Sequence, residues 1–486
     1  MKFNSFRFVI LSSFIVFLTS CLGTTDTTTV SSDASFVSLI LAGNDSVKLA
    51  KFTLNADGKT IENLDSLPFN SRIDSVYPTF SFTSSARSFL HITIDQGFKF
   101  TKGKKDSVQI TGKDTVDFLQ PLISVSNFAT DGKSYKSYTI KLNVHKVQPE
   151  LYVWSKVREN LDSRNIISQK AIIFNDIINY YVSDGSTTYI YSSTDGNVWS
   201  SPTTVNGLPI NPTLGDMTQF NGKLYLTQNN DMIYSTSTGT DWAVKSIPDY
   251  YFKSLLFTFQ DKLWAVVQSK SLSVNRFATS TDGVEWIIGE EIPASFPVSD
   301  FASLAFSSRT GKPKVIVLGG HLDNGELSNH CWSTEGLVLN GSIYWVDFNF
   351  DNNNHSLDTL AAGASVIAYD KKLLMFGLRK DNSMSHFKQS IDEGLSWQTP
   401  DTLYNRLRQV VITKVSETKN DTAYVNYQPC NYQSVVIYKP RTYNAFDTKV
   451  QDLESNRIFI IGGKTATSVK TDVWTGKLNR KNFLLQ

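Results

Sequence analysis

The sequence predicts an all-β chain: an N-terminal immunoglobulin-like β-sandwich followed by a six-bladed β-propeller, seven-bladed if residues 401–450 form a further unit. Three observations predict it. A phrase repeats, with Ser193-Thr194-Asp195-Gly196 leading to Trp199, Ser280-Thr281-Asp282-Gly283 to Trp286, and Ser390-Ile391-Asp392-Glu393-Gly394 to Trp397. Ser237-Thr238-Gly239 to Trp242 is a worn copy. A second phrase, an aromatic residue, a short polar turn and an apolar run, recurs between the copies of the first. Finally, 31 Phe and 20 Tyr among 486 residues favour strands over helices. A period of about 40–60 residues means that one supersecondary unit has been copied.

The elements follow in order along the chain. Lys2 and Arg7 precede an apolar stretch from Phe8 to Leu18 that is too short to span a bilayer, so residues 1–20 read as a signal peptide. The stretch ends Leu18-Thr19-Ser20-Cys21, which resembles the lipobox of bacterial lipoproteins. That resemblance implies that Cys21 is diacylated and becomes the N-terminus, and two acyl chains anchor a protein far better than one. Residues 21–34, rich in Thr, read as a flexible tether from the lipidated Cys21. An outer-membrane lipoprotein, periplasmic or surface-exposed, is the localisation this implies.

Residues 35–148 read as short alternating strands, clearest at residues 47–54, 89–94 and 135–144, with Asp57-Gly58 and Asp131-Gly132 as turns. Seven or more such strands suggest the sandwich. The stretch Val116-Asp117-Phe118 to Pro121, then Asp131-Gly132-Lys133 and the strand from Tyr138 to Val144, resembles the modules that follow the lipid anchor in Bacteroidetes surface lipoproteins. Gln148-Pro149-Glu150 is the expected hinge.

Residues 151–486 carry the repeats. The hairpin phrase appears as Phe220-Asn221-Gly222-Lys223, Phe259-Gln260-Asp261-Lys262 and Tyr369-Asp370-Lys371-Lys372. Phe174-Asn175-Asp176 fits as well, and Phe306 before Val315 and Leu453 before Ile458 are looser copies. Each is followed by the Asp-Gly-Trp phrase or a remnant such as Ser333-Thr334-Glu335-Gly336, so one unit is about four strands and the chain is expected to form a propeller. Leu151-Tyr152-Val153-Trp154 is placed to supply the outer strand that closes the ring.

The Ser-x-Asp-x-Gly-x-x-Trp pattern, complete from Ser390 to Trp397, resembles the Asp-box of sialidase-type propellers, while Gly319-Gly320 and Gly462-Gly463 look kelch-like. The order of parts, ending in Asp472-Val473-Trp474-Thr475-Gly476-Lys477-Leu478-Asn479, resembles a Bacteroidetes lipoprotein family known as a domain of unknown function, DUF6242. The resemblance implies the fold and brings no activity.

The repeat residues Asp195, Gly196, Trp199, Gly239, Trp242, Asp282, Gly283, Trp286, Asp392, Gly394 and Trp397 are expected to be structural. The carboxylate can accept N–H bonds within the turn, the glycine takes a positive φ and the indole packs between blades. A sialidase would need three arginines converging on one substrate carboxylate, and Arg276, Arg309, Arg379, Arg406 and Arg441 stand in no such context. Asp347-Phe348-Asn349-Phe350-Asp351-Asn352, running on to Asp358, superficially matches a calcium loop. Asn in place of the usual Gly and a short final carboxylate favour a solvated turn, so no metal and no cofactor is expected. His91, His145, His321, His330, His355 and His386 show no ligand spacing, and Cys331 and Cys430 either pair or stay as buried thiols.

Removing Lys2 and Arg7 leaves 45 basic against 45 acidic side chains, and a neutral chain gives no electrostatic reason to expect nucleic acid. The expectation is therefore a lipid-anchored binding or scaffold protein of the cell envelope, not an enzyme, with a membrane partner through Cys21 and a glycan or envelope protein at the propeller. The alternative is a glycan-active hydrolase or lyase, whose sign would be two carboxylates about 5–10 Å apart in the funnel. A purely structural subunit would instead show a large apolar patch.

Overall fold

The computed structural model describes residues 30–93, 107–109, 115–120, 122–145, 151–228, 230–339, 342–349, 357, 360–377, 387–400, 407–416, 419–439 and 456–478. The described chain is all-β apart from single helical turns. It forms two units, divided between Pro149 and Glu150. Cys21 and the leader lie outside the described residues, and among those residues no helix is long and apolar enough to cross a membrane.

In the N-terminal unit, strands Phe36–Ala42 and Tyr77–Phe82 pair as one antiparallel sheet. A second sheet runs Phe52–Leu54, Thr60–Asn63, Tyr135–Lys141, Leu122–Phe128, Arg87–Thr93, Ser107–Gln109, with one parallel pair between Thr60–Asn63 and Tyr135–Lys141. Leu39 and Leu41 of the first sheet share one buried cluster with Ile61, Leu90, Ile123, Val125 and Ile140 of the second. Every second residue of Leu122–Phe128 is buried, the period a half-buried strand requires. The expected strand over residues 47–54 is shorter than its pattern. Asn44 Oδ1 accepts the Ser46 N–H at 3.1 Å and caps a turn of helix at Asp45–Lys48, so the strand begins only at Phe52.

In the second unit the hairpin phrase folds as a two-residue turn. Its central residues take positive φ at Asn175 and Asp176 (51° and 58°), Asn221 and Gly222 (45° and 70°), Gln260 and Asp261 (50° and 56°), and Asp370 and Lys371 (53° and 57°). This is the turn whose twist matches that of the flanking strands. Each hairpin supplies the first two strands of an antiparallel sheet. The sheets begin at Ser168–Phe174, Thr218–Phe220, Tyr250–Phe259, Ala302–Ser307, Ser365–Tyr369 and Ser434–Tyr438. These first strands meet their neighbours in a closed cycle, with a short turn at Leu214–Asp216 bridging the first and second sheets. Hydroxyls stitch the cycle: Thr258 Oγ1 donates to Gln219 O at 2.7 Å, Ser303 Oγ to Leu256 O at 2.6 Å and Ser365 Oγ to Gln433 O at 2.6 Å.

Burial grades outward along each sheet. Second strands such as Ile177–Ser183 and Lys223–Thr227 are buried on both faces, packed between neighbouring sheets, and read as continuous apolar runs. The fourth strand Ala243–Ser246 is exposed throughout. Tyr152–Arg158 pairs antiparallel with Val469–Leu478 as the fourth strand of the last sheet, so chain from before the first sheet closes the cycle. Trp154 seats against Gly476, where a Cβ would lie 2.3 Å from the indole.

Residues 401–450 are neither a simple insertion nor a seventh unit in their described part. They hold the hairpin Arg408–Ser416 with Lys419–Asn426, and then Ser434–Tyr438, the first strand of the last sheet. The looser copy at Leu453 thus misplaced that strand, because the link to Arg457–Lys464 is longer than a tight turn. Cys331 and Cys430 are both free and buried, and burial pushes their thiols up to about 12 and about 11.

Candidate functional site

The repeated Asp-Gly-Trp phrase joins the third strand of a sheet to its fourth. Asp195 Oδ1 accepts the N–H groups of Asn197 and Val198, both at 2.8 Å, and Ser193 Oγ accepts that of Gly196 at 2.8 Å. Asp282 Oδ1 does the same for Val284 and Glu285, and Asp392 Oδ1 accepts the Ser396 N–H at 2.9 Å. In the worn copy Thr238 Oγ1 stands in for the carboxylate and accepts from Asp241 N at 3.2 Å. Gly196, Gly239, Gly283 and Gly394 all have positive φ, between 74° and 98°. Trp242 and Trp397 are buried, while Trp199 and Trp286 are partly so.

The phrase also joins sheet to sheet. Tyr181 OH donates to Gly239 O at 2.9 Å and Tyr225 OH to Asp282 O at 3.1 Å, each tyrosine lying on the second strand of the preceding sheet. Tyr438 OH donates to Thr194 O at 3.0 Å across the closure. These carboxylates are occupied by their own turns, and none of the phrase residues lines the cavity at the start of the first strands.

The cavity is elsewhere. About 500 Å³ opens where the first strands begin, at Ser168, Thr218, Ala302, Ser365 and Ser434, with Leu255 and Leu256 from the third sheet. This mouth holds two carboxylates, Asp216 and Asp300, and two lysines, Lys170 and Lys464.

Asp216 ends the 3₁₀ turn Leu214–Asp216, which the first sheet pins. Leu214 N donates to Ser168 Oγ at 3.0 Å, and Lys170 Nζ donates to Gly215 O at 2.9 Å. Burial pushes the Asp216 carboxyl up to about 7, the Asp300 charge adds to the push, and Lys170 opposes it. Burial also pushes the Lys170 ammonium down, against the pull of Asp216. Both side chains keep contact with water through the open mouth, so the push comes from surrounding protein mass and not from a sealed interior.

Asp300 takes φ 55°, and its Oδ2 lies 3.0 Å from His321 Nδ1. Gly320 makes this approach possible: at φ 83° a Cβ would come within 2.5 Å of Ser299 O. Asp300 O accepts the Gly363 N–H at 2.8 Å, and Gly363 O accepts the Tyr432 N–H at 2.7 Å, a backbone relay across three sheets. Burial and the Asp300 charge push the Tyr432 phenol up to about 12.

The other sequence candidates are placed apart from the mouth. Asp347 Oδ2 lies 2.7 Å from His330 Nδ1 and Oδ1 accepts the Asn349 N–H at 3.0 Å; residues 350–356 and 358 lie outside the described residues. Among the described residues no group of three metal-binding side chains occurs. Arg276 pairs with Glu291 at 3.2 Å, Arg309 does not line the mouth, and Arg379, Arg406 and Arg441 lie outside the described residues. Sequence reasoning missed Lys170, Asp216, Asp300 and Tyr432. A signal existed, since Asp300, Gly363 and Tyr432 each stand six residues before an aromatic that is last or next to last in a first strand (Phe306, Tyr369, Tyr438). Alignment on the hairpin phrase, instead of on the tryptophan phrase, exposes that register.

Comparisons with known proteins follow the architecture. Residues 148–486 match the DUF6242 beta propeller domain and residues 22–142 match the DUF6242 N-terminal domain, a domain of unknown function. No curated protein matches the chain. Among solved structures it is similar to BBS1N in complex with ARL6DN, at 11% identity and TM-score 0.35, covering 68% of this chain and 99% of that one. It is similar to the GH43_1 enzyme from Xanthomonas citri complexed with xylotriose, at 8% identity and TM-score 0.31, over 67% of this chain and 90% of that one. It is also similar to the Bombyx mori GH32 beta-fructofuranosidase BmSUC1, at 12% identity and TM-score 0.27, over 57% of this chain. There the match spans 65% of the fructofuranosidase's length. These values are too low for the likeness to carry an argument. The expectation of a chain that is not an enzyme is corrected to this extent: glycoside hydrolases stand among the similar structures, and the mouth holds two carboxylates, Asp216 and Asp300, that the sequence did not reveal.

Proposed function

Because this chain belongs to the DUF6242 family, whose name carries no activity, we propose its function from the mouth itself: a carbohydrate-active site working by acid–base hydrolysis. One observation carries the reading. Asp216 is pushed up to about 7 by burial and by Asp300, so near neutral pH it can both hold and release a proton. Cleavage of a glycosidic bond needs a proton for the departing oxygen and a second carboxylate to assist attack at the sugar carbon. Asp216 takes the first role and Asp300, steadied by His321, the second. Hydroxyls of Ser168, Thr213 and Thr218 and the Asn211 amide on the same wall suit a sugar's hydroxyls.

In the same reading the six sheets are six blades and the N-terminal unit is an immunoglobulin-like spacer. Cys21 is lipidated and holds the chain on the outer membrane, facing the periplasm or the outside. The test is product analysis after incubation of the chain with a panel of polysaccharides, for wild type and Asp216→Asn. Released oligosaccharides from wild type, reduced about 100-fold or more in the variant, are expected. Absence of product from every polysaccharide, or product formation unchanged by Asp216→Asn, defeats the reading.

A further inference from the structure

The same register of the mouth takes a left-handed backbone in three consecutive sheets: Asp300 at φ 55°, Gly363 at 79° and Tyr432 at 58°. Glycine adopts this conformation freely and aspartate tolerates it, but a bulky aromatic does not. A strained aromatic at a cavity points to a use for its side chain. Tyr432 is held there by the 2.7 Å bond from its N–H to Gly363 O. Its ring lies directly on Gly363, where a Cβ would stand 2.8 Å from the ring carbons. The absent side chain of Gly363 therefore lets the ring lie flat, while 41% of Tyr432 stays exposed in the mouth.

The next residue adds a second observation. Gln433 lines the same mouth and is only 3% exposed, yet among the described residues neither its Nε2 nor its Oε1 has a hydrogen-bond partner. A buried amide with both atoms unpaired is costly, and the remedy is a ligand that offers an acceptor and a donor side by side. Adjacent sugar hydroxyls do so. With Asp216 ionised, two lysines face two aspartates, and the mouth has no charge bias toward acidic sugars.

We propose that Tyr432 and Gln433 form a recognition subsite for a neutral pyranose, the Tyr432 ring stacking on its apolar face and the Gln433 amide bonding a pair of hydroxyls. The proposal rests on the reading of the mouth as a carbohydrate site. Its test is calorimetric titration of the full chain in detergent, carrying Asp216→Asn so that bound sugar is not turned over. The probes are cellotriose, xylotriose, arabinotriose and mannotriose, with trigalacturonic acid as the charged control.

At least one neutral trisaccharide is expected to bind. Tyr432→Phe should retain that affinity, whereas Tyr432→Gly should lose it about 10-fold or more while melting no lower than its parent, because glycine relieves the backbone. Gln433→Ala should also weaken binding. Unchanged affinity in Tyr432→Gly, or preference for the acidic sugar in the chain that keeps Asp216, overturns the subsite. Binding through Tyr432 with no product from wild type keeps the subsite and removes hydrolysis. Product formation indifferent to Tyr432→Gly does the reverse. Failure of all five probes to bind overturns the subsite and leaves hydrolysis to the product analysis.

Discussion

Asp216 concentrates the chemistry of the mouth, since its carboxyl is the one that burial and a neighbouring carboxylate both hold toward the protonated form. The consequence for stability has a definite sign. A carboxyl whose folded value is raised to about 7 binds more protons folded than unfolded, so its contribution is fully present below the unfolded value of 3.8 and is lost as pH rises toward 7. The propeller transition should therefore fall between pH 5 and pH 8, and Asp216→Asn should remove that part of the fall, as melting curves at the two pH values will read. Hydrolysis by wild type should decline above pH 7 as the donor loses its proton. Asp216 was not legible in the sequence, and Asp300 only through its register six residues before Phe306. Asp216 and Asp300 belong to no motif and share no spacing, and only the closing of the first strands into one cycle brings them to the same cavity. The phrase aspartates were legible because their partners are the next residues in the chain.

At the scale of the element, the glycines of the repeated phrase do two jobs that a substitution can separate. Gly283 and Gly58 both need positive φ, at 75° and 68°, but a Cβ at Gly283 would lie 2.3 Å from Tyr225 whereas one at Gly58 meets nothing within 4 Å. Gly58→Ala should cost about 1 kcal/mol for the left-handed backbone alone. Gly283→Ala should add about 1–3 kcal/mol of overpacking between sheets. Urea unfolding of the two variants, followed on the transition of the unit that each occupies, measures the difference. The hairpin turns were readable because Asn, Asp and Gly favour the φ values that the turn requires. The strand proposed over residues 47–54 was not, because the Asn44 cap and the alternation of apolar residues compete over the same stretch and the cap wins locally.

At the scale of the whole chain, closure depends on a strand that precedes the first sheet in the sequence and pairs in the last. Trp154 on that strand is 1% exposed, and its indole packs edge-on against Phe376 at 6.3 Å. Trp154→Ala should lower the stability of the propeller by about 3–5 kcal/mol, while Val153→Ala, on the exposed side, should change it by less than about 0.5 kcal/mol; thermal unfolding distinguishes the two. Cys21→Ala should abolish incorporation of radiolabelled palmitate and move the chain from the membrane fraction to the soluble one. The sequence by itself determined the strand content, the tight turns, the repeated unit and the closing strand, because each rests on contacts between near neighbours or on a pattern that recurs. Only the tertiary structure decided what the mouth contains. It is lined by short stretches at the start of every sheet, far apart in the chain, and their burial, strain and mutual repulsion arise only when the cycle closes.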